Sequence, residues 1–175
     1  PPPAERAAGA GKLAAAFRLE LMPYYAGILV LNAVLSATFV GVPYALRDHF
    51  GIPVAEHWKT YIGVFVASIP PTIPFVLGSE RAGGPDRVMR LAAALMMLSL
   101  GACAFVYDRF WPLCVALTAF FTAFNYLEAR LPARLSQVAV PEVRGAALSV
   151  FATAQFIGAF VGATAAGWLS GGRLG

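Results

Sequence analysis

Asn125-Tyr-Leu-Glu-Ala-Arg-Leu-Pro132, running on to Pro141-Glu-Val-Arg-Gly145, is the stretch that decides the fold. Asn125 and Glu128 stand on a helix otherwise made of Leu, Phe, Ala and Thr, and a short basic loop follows. An uncharged, Gly-rich segment then extends from Gly145 to Gly171. Polar groups on such a helix are costly in a bilayer, so they face a bundle interior or a cavity.

Composition agrees with lipid as the solvent. Of the residues 59% are hydrophobic and 13% charged, with a mean hydropathy of +0.69. A soluble domain carries roughly a quarter charged residues. The 17 Gly and 13 Pro are ordinary for packed membrane helices. Cys103 and Cys114 lie in apolar segments and read as small buried residues, not as a disulfide framework. The net charge of +4 does not point to nucleic acid, because the basic residues sit between apolar segments, as membrane topology requires.

A membrane helix needs about 20 apolar residues. Five segments qualify, at residues 22–46, 58–78, 88–107, 110–131 and 145–171. Residues 1–20 are Pro- and Ala-rich and show no signal peptide. They read as a cytoplasmic linker cut from a longer protein, with residues 21–175 as a partial membrane domain. One set of alternate loops holds Arg6, Lys12, Arg18, Arg81, Arg87, Arg90, Arg130, Arg134 and Arg144; the other holds only Arg47, Lys59, Arg109 and Arg173. The positive-inside rule then places the N-terminus and the two Arg-rich loops in the cytoplasm. An odd number of spans with a Gly-rich ending reads as a bundle whose last helix is missing.

The helices carry few polar groups. Thr118, Thr122, Asn125 and Glu128 share a face of the fourth. The threonines can bond back to their own helix. Glu128, near the cytoplasmic end, either reaches the interface, pairs with an Arg or acts in transport. On the first helix Tyr25, Asn32 and Ser36 share a face, where Asn32 is either interhelical glue or part of a cavity wall. In the fifth, Gly158 and Gly162 form a Gly-x-x-x-Gly that favours close helix packing, with Gln155 beside it. Pro70, Pro71 and Pro74 remove backbone donors from the second, where a kink or a gating break is expected. His49 and His57 have no metal-site spacing, and no phosphate loop or nucleophile motif is present; no metal or cofactor is expected.

The chain resembles the C-terminal half of a major facilitator superfamily transporter of the bacterial drug-efflux-like branch. Asn125, Leu127-Glu-Ala, Leu131-Pro, Pro141-Glu-Val-Arg-Gly and Ala154-Gln-Phe-Ile-Gly carry the resemblance. It implies that the five helices are the seventh to eleventh of twelve, in an all-α polytopic membrane bundle of the inner membrane, and that a six-helix N-terminal half is the partner. The segment from Gly78 to Arg90 is similar to the family's cytoplasmic loop motif, with a Pro-Asp insertion that departs from it. By that similarity Glu80 and Arg81 would belong to a charge lock with Glu128, Arg134 and Arg144.

The resulting expectation is a secondary transporter moving a small organic molecule by alternating access, as proton-coupled efflux, and not an enzyme. Tyr25, Asn32, Ser36, Thr122, Asn125 and Gln155 are the candidate cavity residues. The rival readings are a membrane-embedded enzyme, which would need paired carboxylates or His within the helices, and a non-transporting membrane scaffold.

Overall fold

A bilayer offers no water to backbone amides, so a chain that crosses it must close its hydrogen bonds within each segment. The computed structural model, which describes residues 11–81 and 85–171 apart from the side chains of residues 80, 81, 85 and 171, is built accordingly. It holds five long helices: α1 (Met22–Asp48), α2 (His57–Arg81), α3 (Pro85–Val106), α4 (Phe110–Val138) and α5 (Arg144–Gly171). Residues 11–16 are also helical, and a 3-10 turn at Val54–Glu56 leads into α2. No strand occurs among the described residues. All five long helices contain stretches apolar enough to cross a membrane. The protein is an all-α polytopic membrane helix bundle.

One boundary differs clearly from the sequence reading. The Leu131-Pro132 step suggests that α4 ends there, yet the helix continues to Val138. Pro132 removes only the amide that would reach the residue 128 carbonyl. Leu131 just before it, Leu135 beyond it and Ala139 just past the helix end recur every four residues and are all buried, Leu135 fully. That stripe holds the extra turns against the protein and offsets the lost bond.

The chain forms two compact units, residues 1–40 with 130–175 and residues 41–129. In the first, Tyr25, Ile28 and Asn32 line the buried face of α1, with Leu21 buried just before it, at the spacing of one helical stripe. The α1–α5 contact there is backbone on backbone. A Cβ placed on Gly158 would meet the Leu29 carbonyl oxygen, and one on Gly162 the Ala33 carbonyl oxygen. The two contacts are one turn apart on both helices, a repeat that suits weak Cα–H···O bonds. Leu131 of α4 fills the space beside Gly27, 3.3 Å from where a Cβ would stand.

The second unit is organised by α4. Half of the apolar stretch of α4 is buried, against 17% of the span containing α2, so α4 is central to this unit and α2 presents most of its surface outward. Leu113, Leu117, Phe120 and Phe121 are buried along α4. Phe65 and Phe75 of α2 stack edge-on or tilted against Phe121 and Tyr126, at 6.0 and 5.8 Å between ring centres. The α1–α2 connection turns at Gly51, whose φ of 63° is left-handed backbone that suits glycine. The Gly51 and Ile52 amides close back on Arg47 and Leu46. His57 is buried and sits 2.9 Å through Nε2 from the Ile52 carbonyl.

Candidate functional site: a polar cluster between two spans

Three prolines in α2 remove the amides that the carbonyls of residues 66, 67 and 70 would accept from. The helix nevertheless continues through Pro70, Pro71 and Pro74, where the sequence suggests a kink or break. Hydroxyl groups gather at this weakened stretch. Ser68, fully buried, donates through Oγ to the Phe65 carbonyl at 2.6 Å. Thr72 donates to the Ser68 carbonyl at 2.8 Å, with a longer contact of 3.4 Å to the Thr122 carbonyl on α4. Thr122 returns the arrangement, donating at 2.8 Å to Thr118 and lying 3.4 Å from the Ser68 carbonyl. Each hydroxyl has one proton, so the shorter bond holds it and the longer one is a weaker second arm. These bonds end on the carbonyls of residues 65, 68, 118 and 122, so they tie α2 to α4 beside the prolines and do not replace the lost amides.

Asn125 completes the cluster. Its Nδ2 donates to Ser68 Oγ at 3.0 Å, so α4 and α2 are joined by an amide-to-hydroxyl-to-carbonyl chain. Asn125 and Thr72 also line a groove of about 400 Å³ whose other walls include Phe65, Ile69 and Ile73. One amide proton and the Oδ1 acceptor of Asn125 remain available beyond the bond to Ser68. The groove is apolar apart from these two neutral polar residues.

Of the six residues read as cavity-lining, Thr122 and Asn125 therefore come together, joined by Ser68 and Thr72, which the sequence reading passed over. Ser68 and Thr72 are four apart and straddle Pro70-Pro71; hydroxyls at that spacing around paired prolines are the signal that could have found them. Tyr25 is buried and donates through its hydroxyl to the Ala16 carbonyl at 2.9 Å, tying the leading helical segment to α1. Asn32 is buried on α1, with Nδ2 3.3 Å from the Ile28 carbonyl. Ser36 and Gln155 are half-buried on α1 and α5.

The charged candidates divide similarly. Glu128 is half-buried on α4, and Arg134 bonds locally through Nη1 to Gln137 Oε1 at 3.1 Å. Arg144 is exposed at the start of α5. The side chains of Glu80 and Arg81 lie outside the described residues. No group of three His, Cys, Asp or Glu that could hold a metal occurs among the described residues.

Neutral polar groups between membrane-spanning helices serve either to join the helices or to line a path for solutes. Comparison with known proteins points to transport. The chain is 33% identical over 145 residues to the inner membrane transport protein YajR of Escherichia coli (strain K12), a match covering 83% of this chain and 32% of that protein. It is 26% identical over 139 residues to the uncharacterized transporter BU466 of Buchnera aphidicola subsp. Acyrthosiphon pisum (strain APS), covering 79% of this chain and 35% of that one. No family profile matches, and no solved structure does. The chain thus spans about a third of the length of the curated relatives it matches. It belongs to the major facilitator superfamily of membrane transporters.

Proposed function

We propose that this chain supplies five helices of the C-terminal half of an inner-membrane exporter, in which a small organic molecule crosses by alternating access with proton coupling. The observation that carries the reading is the Ser68–Thr72–Thr122–Asn125 cluster beside an apolar groove. The similarity to an inner membrane transport protein and to an uncharacterized transporter supports it. A neutral groove with one carboxamide suits an uncharged or weakly polar solute held by apolar contact and oriented by Asn125. In this reading Asn32, Ser36 and Gln155 contribute further polar groups, the N-terminus is cytoplasmic, and Glu80, Arg81, Glu128, Arg134 and Arg144 form a lock at the cytoplasmic side that opens and closes with the cycle.

The test is transport by the full-length protein in everted vesicles. Asn125→Leu should abolish substrate-dependent proton movement while the protein still accumulates in the membrane. Ser68→Ala should weaken transport less, since Asn125 keeps its place on the groove wall. Unchanged transport in Asn125→Leu would remove the cluster from the pathway. Failure of the wild-type protein to move any of a broad panel of organic solutes would favour a non-transporting scaffold.

A further inference from the structure

A second groove, of about 490 Å³, runs between the first halves of α2 and α4. Lys59, Gly63 and Ala67 lie along one side, and Trp111, Cys114 and Thr118 along the other. From Lys59 to Ala67 it extends about 12 Å at the rise of an α-helix, close to the depth of one leaflet, about half of a ~30 Å hydrocarbon core. Its mouth is marked as a membrane interface by the exposed rings of Trp58, Tyr107 and Trp111, the position that amphipathic aromatics favour. Its one charged lining residue, Lys59, sits at that mouth, with Nζ 3.1 Å from Glu56 Oε2. Both side chains are half-exposed, so each keeps hydrogen-bonding capacity for a further partner.

We propose that this groove seats one phospholipid with a primary-amine headgroup. Its phosphate accepts from Lys59 Nζ, its ammonium donates to the Glu56 carboxylate, and one acyl chain lies along Gly63 and Cys114. The exposed ion pair is complementary to a zwitterion whose two charges can each reach one member. A choline headgroup has no N–H to offer Glu56, and a glycerol headgroup has no cation. Gly63 leaves the floor open: a Cβ built there meets nothing within 4 Å.

The test uses the full-length protein purified in detergent and mixed with equimolar phosphatidylethanolamine, phosphatidylcholine and phosphatidylglycerol. Retained lipid is counted by native mass spectrometry. One phosphatidylethanolamine should be held about fivefold over the other two, the upper weight of an exposed ion pair. Glu56→Gln should bring the ethanolamine-to-choline ratio to about one. Gly63→Leu should lose the bound lipid of all three kinds; since the position is open, the helix accepts the larger side chain. Independently, on a Cys103→Ser background, alkylation of Cys114 by an apolar maleimide should slow as phosphatidylethanolamine is added, and not with phosphatidylcholine. Equal retention of the three lipids, full retention by Gly63→Leu, or a Cys114 rate indifferent to lipid would each overturn the proposal. So would a Cys114 that is unreactive before any lipid is added, because another part of the protein would then cover the groove.

Discussion

Replacing Gly162 by Ala inserts one methyl group into the α1–α5 seam. The new Cβ would lie 2.6 Å from the Ala33 Cα and closer still to its carbonyl oxygen. Carbon–carbon contacts settle at about 3.5–4.0 Å, so the two helices must part locally by roughly 1 Å. A gap of that size forfeits a quarter to a half of the dispersion attraction of the facing atoms. Forced overpacking costs about 1–3 kcal/mol, and the better helix propensity of Ala returns up to about 1 kcal/mol. The net expectation is a destabilisation on the order of 1–2 kcal/mol, seen as a melting temperature lower by roughly 3–6 °C. Gly162→Leu should leave little folded protein. Gly167, also on α5, is the internal control, because a Cβ there meets nothing within 4 Å; Gly167→Ala should melt at or slightly above the wild-type temperature. The assay is a temperature ramp on the full-length protein in detergent, with the folded fraction read by fluorescence size-exclusion chromatography. Equal melting temperatures for Gly162→Ala and Gly167→Ala would refute the reasoning, since both change the helix alike and differ only in the seam.

Two further predictions test other parts of the chain. Tyr25→Phe deletes the buried bond to the Ala16 carbonyl; it should cost about 1 kcal/mol and make residues 11–20 more susceptible to protease, and an unchanged digestion pattern would show that this bond does not hold the segment. Glu142→Cys, in the exposed turn before α5, should resist an impermeant maleimide in intact cells and react once the membrane is permeabilised; labelling from outside would reverse the proposed orientation.

The five spans were legible because lipid makes one demand on every crossing segment, a long run without charge, and such runs stand out in any window. Their ends were less so. Leu131-Pro132 resembles a stop signal locally, and only the buried Leu131–Leu135–Ala139 stripe explains why α4 continues. Gly158 and Gly162 announce a close approach by their spacing, but nothing in α5 names Leu29 and Ala33 as the backbone they meet, because pairing between distant segments has no local period. Asn125 stood out as a carboxamide among apolar residues. Ser68 did not, since a lone Ser in an apolar, proline-rich run reads as a small filler until the α4 amide is placed against it. Tyr25 shares its face with Asn32, as the spacing says; that its hydroxyl ends on Ala16 follows from the position of a preceding segment that periodicity does not describe.

The three prolines of α2 have a consequence for the order in which the protein is made. The α4 donors that support this stretch lie 54 and 57 residues further along the chain. At 5–20 residues per second, α2 is synthesised on the order of 3–10 s before Thr122 and Asn125 exist. During that interval the hydroxyls of α2 can bond only within their own helix, Ser68 to Phe65 and Thr72 to Ser68, and neither reaches the carbonyls that the prolines leave without an amide. The nascent α2 therefore waits with its proline-weakened turns unsupported, and the brace from α4 arrives only after both helices are in the membrane.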